Sequence, residues 1–474
     1  MNKNHRDQLL NAIKAFDFNE IYLVPGYTEV EPSEVDLSTY FTRHIMLHIP
    51  LAAAPMDTVT GYEMAVALAL YGAIGVIHRN CSIEEQVEMV KRVKRHPPIN
   101  LRNVYAYEQE PCLRVLSLMK EESIRQIPVI SSNGKVLGYV TYSDLLELCR
   151  ENNYVPVIKL LRNIPVYSLD DIAEAIKAIE RGELDSIAIT TREGFYLGTL
   201  TIKEVFEEYN PIVDEDGKLI VAAAISPFDV DRALKLDKFV NVLVSDVAHF
   251  HNKNVIDASK KLVKRISSDF VAGNIGTYEA AIDVITKIEK VDGLRVGIGG
   301  GTICTTPDVT GVYAPTLWAV ASVRDAIDEM GVKVPIIADG GIRTPGDAVK
   351  ALALGASCVM GGYIFAGTDE AIAPLITVNG KLYKPYRGMA SPSAMKKRFT
   401  IDRYSRTVKK VPEGIEGLVP YRGPVSKVLK EYVEAIKAGL GYVGARNIKE
   451  LWMKAKFIVT VKHKHLQKLD PLSK

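Results

Sequence analysis

The stretch Leu294-Arg295-Val296-Gly297-Ile298-Gly299-Gly300-Gly301-Thr302-Ile303-Cys304-Thr305-Thr306 runs from an apolar strand into a glycine-rich loop carrying a lone thiol among hydroxyls. Glycines let a backbone turn sharply and come close to a ligand. Such a loop can bring main-chain N–H groups to a phosphate and a sulfur to a reacting carbon. A strand, a polar loop and then a helical pattern form one unit, and the unit recurs along the chain. Short Val-, Ile- and Ala-rich strands are expected at 50–54, 73–77, 219–224, 242–245, 269–272, 294–296, 334–338 and 357–360. Helix-period segments follow most of them, at 83–93, 255–265, 278–289, 317–330 and 345–353. Strands that are apolar on both faces belong to a buried parallel sheet. Eight strand–helix units predict an α/β fold, a closed (β/α)8 TIM barrel.

The gap between the second and third strands is too long for one unit. It holds a repeat at a sixty-residue offset: Pro128-Val129-Ile130 before Leu137-Gly138-Tyr139-Val140-Thr141, and Ile187-Ala188-Ile189 before Leu197-Gly198-Thr199-Leu200-Thr201. Each copy leads into a helical pattern, at 142–151 and 202–209. A hairpin with one helix cannot bury its apolar face alone, so the copies should pack together. The pair resembles tandem CBS modules, a Bateman-type α+β insertion at 97–210 with copies at about 97–154 and 155–210. The barrel then comprises 1–96 and 211–474, with a long tail after the eighth strand. The Gly-, Pro- and Tyr-rich regions 384–394 and 411–424 are expected as large ordered loops, and the charged stretch 395–410 as exposed and mobile.

With 474 residues the chain can bury a large core, and its 47% apolar and 24% charged residues are those of a soluble globular protein. A formal net charge of +2 gives no electrostatic argument for nucleic acid or a membrane surface. The apolar region 62–77 is broken by Glu63, Gly72 and Gly75 and reads as a buried helix and a strand. A mixed helix-like segment is expected at 6–16 rather than a signal peptide, and the basic stretch 454–468 as a solvated tail. Five scattered cysteines without CxxC spacing argue for a reducing compartment, hence a cytoplasmic protein, and against zinc or disulfides.

Barrel chemistry gathers at the carboxyl ends of the strands. Those ends carry Met56-Asp57, His78-Arg79-Asn80, Asp246, Gly273-Asn274, the Cys304 loop, Asp339-Gly340-Gly341 and Gly361-Gly362. Glycines after strands seven and eight suit a phosphate, and Asp339 is placed to accept two hydrogen bonds from a ribose. A nucleoside monophosphate is the expected ligand. A buried, inert thiol is the bland alternative for Cys304, and a solvated loop charge the one for Arg403.

Across nearly its full length the chain resembles the IMP dehydrogenase/GMP reductase family, in its IMP dehydrogenase branch. The matching segments include Pro55-Met56-Asp57-Thr58-Val59-Thr60, Gly75-Val76-Ile77-His78-Arg79-Asn80, the Cys304 loop and Ala338-Asp339-Gly340-Gly341-Ile342-Arg343. Tyr386-Arg387-Gly388-Met389, Asp402-Arg403-Tyr404 and Val411-Pro412-Glu413-Gly414 complete them. The resemblance implies NAD-dependent oxidation of IMP to XMP through a thioimidate on Cys304, hydrolysed with a mobile flap at about 395–424. It implies Thr306, Arg403 and Tyr404 as catalytic partners. Met56, Thr302, Asp339, Gly341, Gly362, Tyr363, Tyr386, Gly388, Met389, Ala390 and Glu413 would hold the substrate, and Asp246, Asn274, Arg295 and Gly297 the cofactor side. Carbonyls of Gly299, Gly301 and Cys304 would hold a potassium ion. A homotetramer is implied, with octamers through the CBS modules. Thr141-Tyr142-Ser143-Asp144 matches the ribose-binding TxxD pattern of such modules, whereas Thr201-Ile202-Lys203-Glu204 has Glu for Asp. Adenine or guanine nucleotide binding and a purely structural pairing both remain open there.

The match departs at Ala54, Thr302 and Tyr363, where serines are usual, and at Ala390, where a glycine is. Phe250 replaces a glycine in the cofactor loop, Pro307 an arginine, and the flap is short. These changes bear on cofactor geometry and hydrolysis, so NADPH-dependent GMP reductase and a non-catalytic nucleotide sensor stand as alternatives.

Overall fold

The computed structural model describes residues 12–151, 154–206, 210–396 and 412–460. The chain separates into two compact units, one formed by 1–96 and 210–474 and the other by 97–209.

The larger unit is built on eight parallel strands: β1 Leu51–Ala53, β2 Ile74–Ile77, β3 Ala222–Ile225, β4 Val242–Ser245, β5 Asp269–Ile275, β6 Gly293–Val296, β7 Ile336–Asp339 and β8 Cys358–Gly361. They close in the ring order β3-β4-β5-β6-β7-β8-β1-β2. Closure is set by Val359 beside Leu51 at one seam and Ala222 beside Val76 at the other. All eight expected strands are present, within a few residues of their expected bounds. Every strand residue is buried except Asp339 at the end of β7, which is half-buried. Sheets covered on both faces have this pattern, because no strand face is left to water.

The covering helices are α1 Tyr62–Leu70, α2 Ile83–Arg95, α3 Val230–Asp237, α4 Lys253–Leu262, α5 Tyr278–Lys287, α6 Thr316–Glu329, α7 Pro345–Ala353 and α8 Val425–Val443. Their starts are capped as local sequence dictates. Ser82 and Thr344 form capping boxes with Glu85 and Asp347, and Thr277 accepts from Ala280. The apolar region 62–77 resolves into α1 and β2. Among the described residues no helix is long and apolar enough to cross a membrane.

Three expectations need correction. Residues 12–17 lie in no helix; the rest of the expected segment is outside the described residues. The tail around 384 is not loop: Lys381–Arg387 is the middle strand of an antiparallel sheet between Ile376–Val378 and Glu416–Pro420. A buried lysine hid the period-two signal, since Lys384 Nζ caps the carbonyls of Asp369 and Ala371 at 2.9 and 2.8 Å. The region beginning at 454 is not all solvated tail, because Phe457–Val459 pairs with Ile21–Leu23 across the whole length of the chain. Local pattern cannot reveal so distant a partner.

The smaller unit contains two like assemblies. Ala106–Tyr107, Gln126–Ile130 and Val136–Thr141 form one three-stranded sheet, with helices Cys112–Glu122 and Tyr142–Glu151. Tyr167–Ser168, Ser186–Thr190 and Tyr196–Thr201 form the other, with helices Ile172–Glu180 and Ile202–Phe206. The register shift at Val129/Ile130 in one hairpin recurs at Ile189/Thr190 in the other. Each assembly has its own apolar core. Backbone arms cross between them, Arg102 bridging Thr199 and Arg162 bridging Tyr139.

Candidate active site

The Cys304 loop leaves β6 at Gly297, whose φ of +131° and crowding against Asp339 require glycine: a Cβ there would lie 2.1 Å from the Asp339 carbonyl. Loops after β6 and β7 are thereby packed together. Downstream, Ile298 and Ala314 exchange backbone hydrogen bonds of 3.1 and 3.4 Å, closing the loop at its base. The tail lies along its tip, with Thr305 N–H donating to the Glu413 carbonyl at 3.1 Å and Ile415 N–H to that of Ile303 at 3.0 Å.

This arrangement lines up three side chains. Cys304 Sγ lies 3.2 Å from Thr306 Oγ1, and the Thr306 hydroxyl donates to Glu413 Oε2 at 2.7 Å. With that hydrogen committed to the carboxylate, the hydroxyl can no longer donate to the sulfur, so toward the thiol its oxygen is the acceptor. The result is a short path from S–H to carboxylate. The thiol is half-buried, not packed in hydrocarbon.

Beneath the loop runs a chain of alternating charge. Asp339 Oδ2 accepts from Asn274 Nδ2 at 2.8 Å and Arg295 Nε at 2.9 Å. Arg295 continues to Asp246 at 3.5 Å, and Asp246 accepts from Arg79 Nε at 3.2 Å. Arg79 is fully buried. Two arginines and two aspartates cancel, which is what makes such burial tolerable. Asp339 Oδ1 has no partner among the described residues, and the residue lines the cavity above. An acceptor held so by its other oxygen is fitted to a diol.

The opposite wall comes from β7, β8, β1 and the tail sheet. Gly362 is tightly enclosed, since a Cβ there would meet Met56 Sδ at 2.3 Å and the Tyr386 hydroxyl at 2.8 Å. Tyr386 packs edge-on against Tyr363 at 6.2 Å, and burial pushes its hydroxyl pKa up to about 12, so it stays a neutral donor. The Thr302 hydroxyl is buried beside the Tyr386 hydroxyl, close to it but short of a well-formed hydrogen bond. Two neighbouring hydroxyls on the cavity wall can both turn toward a polar ligand.

Met389 and its loop are fixed from below. The Asp57 N–H donates to Met389 Sδ at 3.4 Å, and the Asp57 carboxylate takes both Nε and Nη2 of Arg387 and Asn80 Nδ2, the last at 2.7 Å. Burial pushes the Asp57 carboxyl up, but these bonds outweigh it and hold it below the usual carboxylate value. Arg387→Met is expected to destabilise the unit by about 3 kcal/mol, the low end for breaking a buried pair, because the arginine keeps 21% exposure. Urea unfolding measures this, and Asp57→Asn in the same chain should restore part of the loss.

A cavity of about 560 Å³ joins these walls. Cys304, Thr306, Glu413, Met56, Thr302, Asp339, Gly341, Gly362, Tyr363, Tyr386, Gly388, Met389 and Ala390 all line it. So do Asp246, Asn274, Arg295, Gly297, Gly299 and Gly301. Arg403 and Tyr404 lie outside the described residues. Phe250 does not reach it: the ring is fully buried, 6.4 Å from Phe270, so this replacement fills core instead of reshaping the cavity. The lining also includes His249, Tyr313 and Trp318, which strand-end reasoning passes over because they lie beyond the first loop residues. Burial and nearby His251 lower the His249 pKa, keeping it neutral at pH 7. Trp318, at the start of α6, was the available signal.

A family model described as the IMP dehydrogenase / GMP reductase domain matches residues 15–466. The chain belongs to this family. Inosine-5'-monophosphate dehydrogenase of Korarchaeum cryptofilum is 48% identical over 463 residues, 96% of each chain. That of Thermoplasma acidophilum is 42% identical, covering 96% of this chain and 93% of its own. Among family members of solved structure, a cysteine-to-alanine GMP reductase from Trypanosoma brucei bound to guanosine 5'-monophosphate is 32% identical, with a TM-score of 0.71. It covers 96% of this chain and 97% of its own. The same variant described without the nucleotide gives 30% identity and a TM-score of 0.76, covering 96% and 98%.

Proposed function

We propose that this protein is an IMP dehydrogenase, oxidising IMP to XMP with NAD through a covalent bond from Cys304. The observation that carries the reading is the hydrogen-bond path from Cys304 through Thr306 to Glu413 at a cavity edged by glycine loops. The 48% identity to a named IMP dehydrogenase favours this direction over the reductase.

In this reading IMP lies with its phosphate against Gly341, Gly362 and the Thr302 and Tyr386 hydroxyls. Its ribose diol donates to Asp339, and its base rests on Met56. Glu413 accepts from the base edge or, through Thr306, takes the thiol proton. The thiolate adds to C2, forming an S–C bond. Bound at the Asp246, Asn274 and Arg295 side, NAD would supply the acceptor for the hydride lost from C2. Water then adds to the thioimidate, the C–S bond breaks and the thiol recovers its proton. Arg403 and Tyr404 are proposed to activate that water from a flap, as the family resemblance implies. A soft nucleophile suits both halves, since it must add readily and leave again.

The residues present fit these groups. Asp246, Asn274, Arg295 and Gly297 would support the dinucleotide, with His249 and Trp318 as further walls. For potassium, the donors would be the uncharged carbonyl oxygens of Gly299, Gly301 and Cys304, a set suited to a hard cation of low charge.

Residues 97–210 are proposed as tandem CBS modules. A second cavity, of about 470 Å³, lies in that unit beside Arg125, Thr141, Tyr142 and Asp185, which supports a nucleotide there. Against it, Arg162 occupies the Asp144 carboxylate with two bonds of 2.6 Å. The same reading takes the protein as a cytoplasmic homotetramer, with octamers formed through those modules.

Purified protein with IMP and NAD is expected to gain NADH absorbance in the near ultraviolet. Consumption of NADPH with GMP would instead make it a reductase, and silence in both assays would leave a nucleotide sensor.

A further inference from the structure

Behind the cavity, one element touches two of its walls. Residues 17–20 form a tight turn: Asp17 N–H donates to Glu20 Oε2 at 2.7 Å, Glu20 N–H to the Asp17 carbonyl at 3.1 Å, and Phe18 N–H to Asp17 Oδ1 at 2.7 Å. The turn is anchored independently of the cavity. Its chain continues into the Ile21–Leu23 strand, and buried Lys350 of α7 donates to the Phe18 carbonyl at 2.7 Å. Phe18 is buried beneath the loop after β7, its ring 3.0 Å from where a Cβ on Gly341 would stand.

From this fixed turn one bond reaches outward. The Tyr313 hydroxyl donates to Asp17 Oδ2 at 2.8 Å. The Tyr313 ring lies over Gly299, where an added Cβ would be 3.1 Å from Tyr313 Cδ2 and 3.0 Å from Pro307 Cγ. Gly299 is therefore held between a tyrosine and a proline, five residues before the thiol. Tyr313 also adjoins Ala314, which closes the base of that loop. In the ring order, the loops after β4, β5 and β6 face those after β8 and β1, which carry Met56, Gly362 and Tyr363. The wall made by His249, Thr277, Tyr313 and Trp318 is thus the end away from the monophosphate.

We propose that Tyr313, tethered by Asp17, is a positioning residue for the dinucleotide end of the cavity: the turn sets where the phenol ring stands, and the ring, itself part of that wall, packs on Gly299 two residues beyond Gly297 of the cofactor side. The inference rests on the proposed function for the identity of that dinucleotide. It requires the tether, not bulk alone, to matter.

In the full-length protein, Tyr313→Phe and Asp17→Ala are each expected to raise KM for NAD by about 5- to 10-fold, less than the full worth of a charge-assisted hydrogen bond because this one is exposed to solvent. KM for IMP and kcat should stay within about twofold. The double variant should be no worse than the poorer single one, because both remove the same contact. A second readout needs no turnover: NAD quenching of Trp318 fluorescence, measured with Trp452→Phe as background, should give a Kd shifted by the same factor and the same non-additivity. Unchanged NAD affinity, additive losses, or an equal rise in KM for IMP would overturn the proposal; a melting midpoint matching the parent's shows that the variants are folded. If the parent protein fails to oxidise IMP yet its NAD quenching shows the coupled loss, the tether stands and the functional reading falls. If the parent oxidises IMP and the coupling is absent, the reverse holds.

Discussion

Replacing Cys304 with alanine is expected to lower IMP oxidation by roughly 10⁵-fold, the scale on which losing a covalent nucleophile abolishes turnover, while IMP affinity changes by about threefold or less. The geometry explains the split. The thiol's one hydrogen bond among the described residues is to Thr306, and Thr306 keeps its bond to Glu413 when the sulfur is gone. Glycine loops, Asp339 and the Thr302 hydroxyl are untouched, so the monophosphate should still bind. Serine at the same position would preserve the hydrogen-bond path but supply a harder, less acidic nucleophile, and should recover little. Three measurements separate these effects: NADH formation, calorimetric binding of IMP, and intact-protein mass after acid quenching during turnover. The parent should carry a nucleotide adduct and the alanine variant none. Turnover within tenfold of the parent would remove the covalent step from the mechanism.

The barrel was legible because its strands are short, apolar on both faces and separated by well-capped helices, so period and punctuation agree. The lining of the candidate site was legible for a related reason. In this architecture functional groups collect at strand ends, and Met56, Asp246, Asn274, Cys304, Asp339 and Gly362 are read off simply by finding where each apolar run stops. What escaped depends on partners remote in sequence. Lys384 reads as a loop residue until its carbonyl acceptors at 369 and 371 are known. Phe457–Val459 becomes a strand only by pairing with residues more than four hundred positions earlier. Phe250 is adjacent in sequence to cavity residues, yet its side chain turns into the core, and no local pattern records which way a loop residue faces. The tether from Asp17 to Tyr313 belongs to the same class, joining positions with no shared motif.

Asp339→Ala should weaken IMP binding by several hundredfold or more, because two hydrogen bonds to a charged acceptor are lost at about 1.5–3 kcal/mol each. The carboxylate does more than accept. Its Oδ2 ties Asn274 and Arg295, and through Arg295 it joins the buried pair of Asp246 and Arg79. Removing it leaves Arg295 with Asp246 alone, at 3.5 Å, and shifts the buried balance from neutral to one net positive charge. Two consequences can be told apart. Loss of the ribose acceptor acts on IMP affinity alone, whereas loss of the Arg295 anchor also loosens the floor shared with the cofactor end. Asp339→Asn is the discriminating variant: its amide retains one acceptor oxygen but no charge. If Asn restores folding stability to the parent's value while IMP affinity stays low, the ribose contact dominates. If stability falls in both variants and NAD affinity falls with it, the charge chain is what holds the two halves of the site in register. Calorimetry with IMP, NAD quenching of Trp318 and urea unfolding on the two variants together make that distinction. IMP affinity equal to the parent's in Asp339→Ala would show that the ribose is held by some other group.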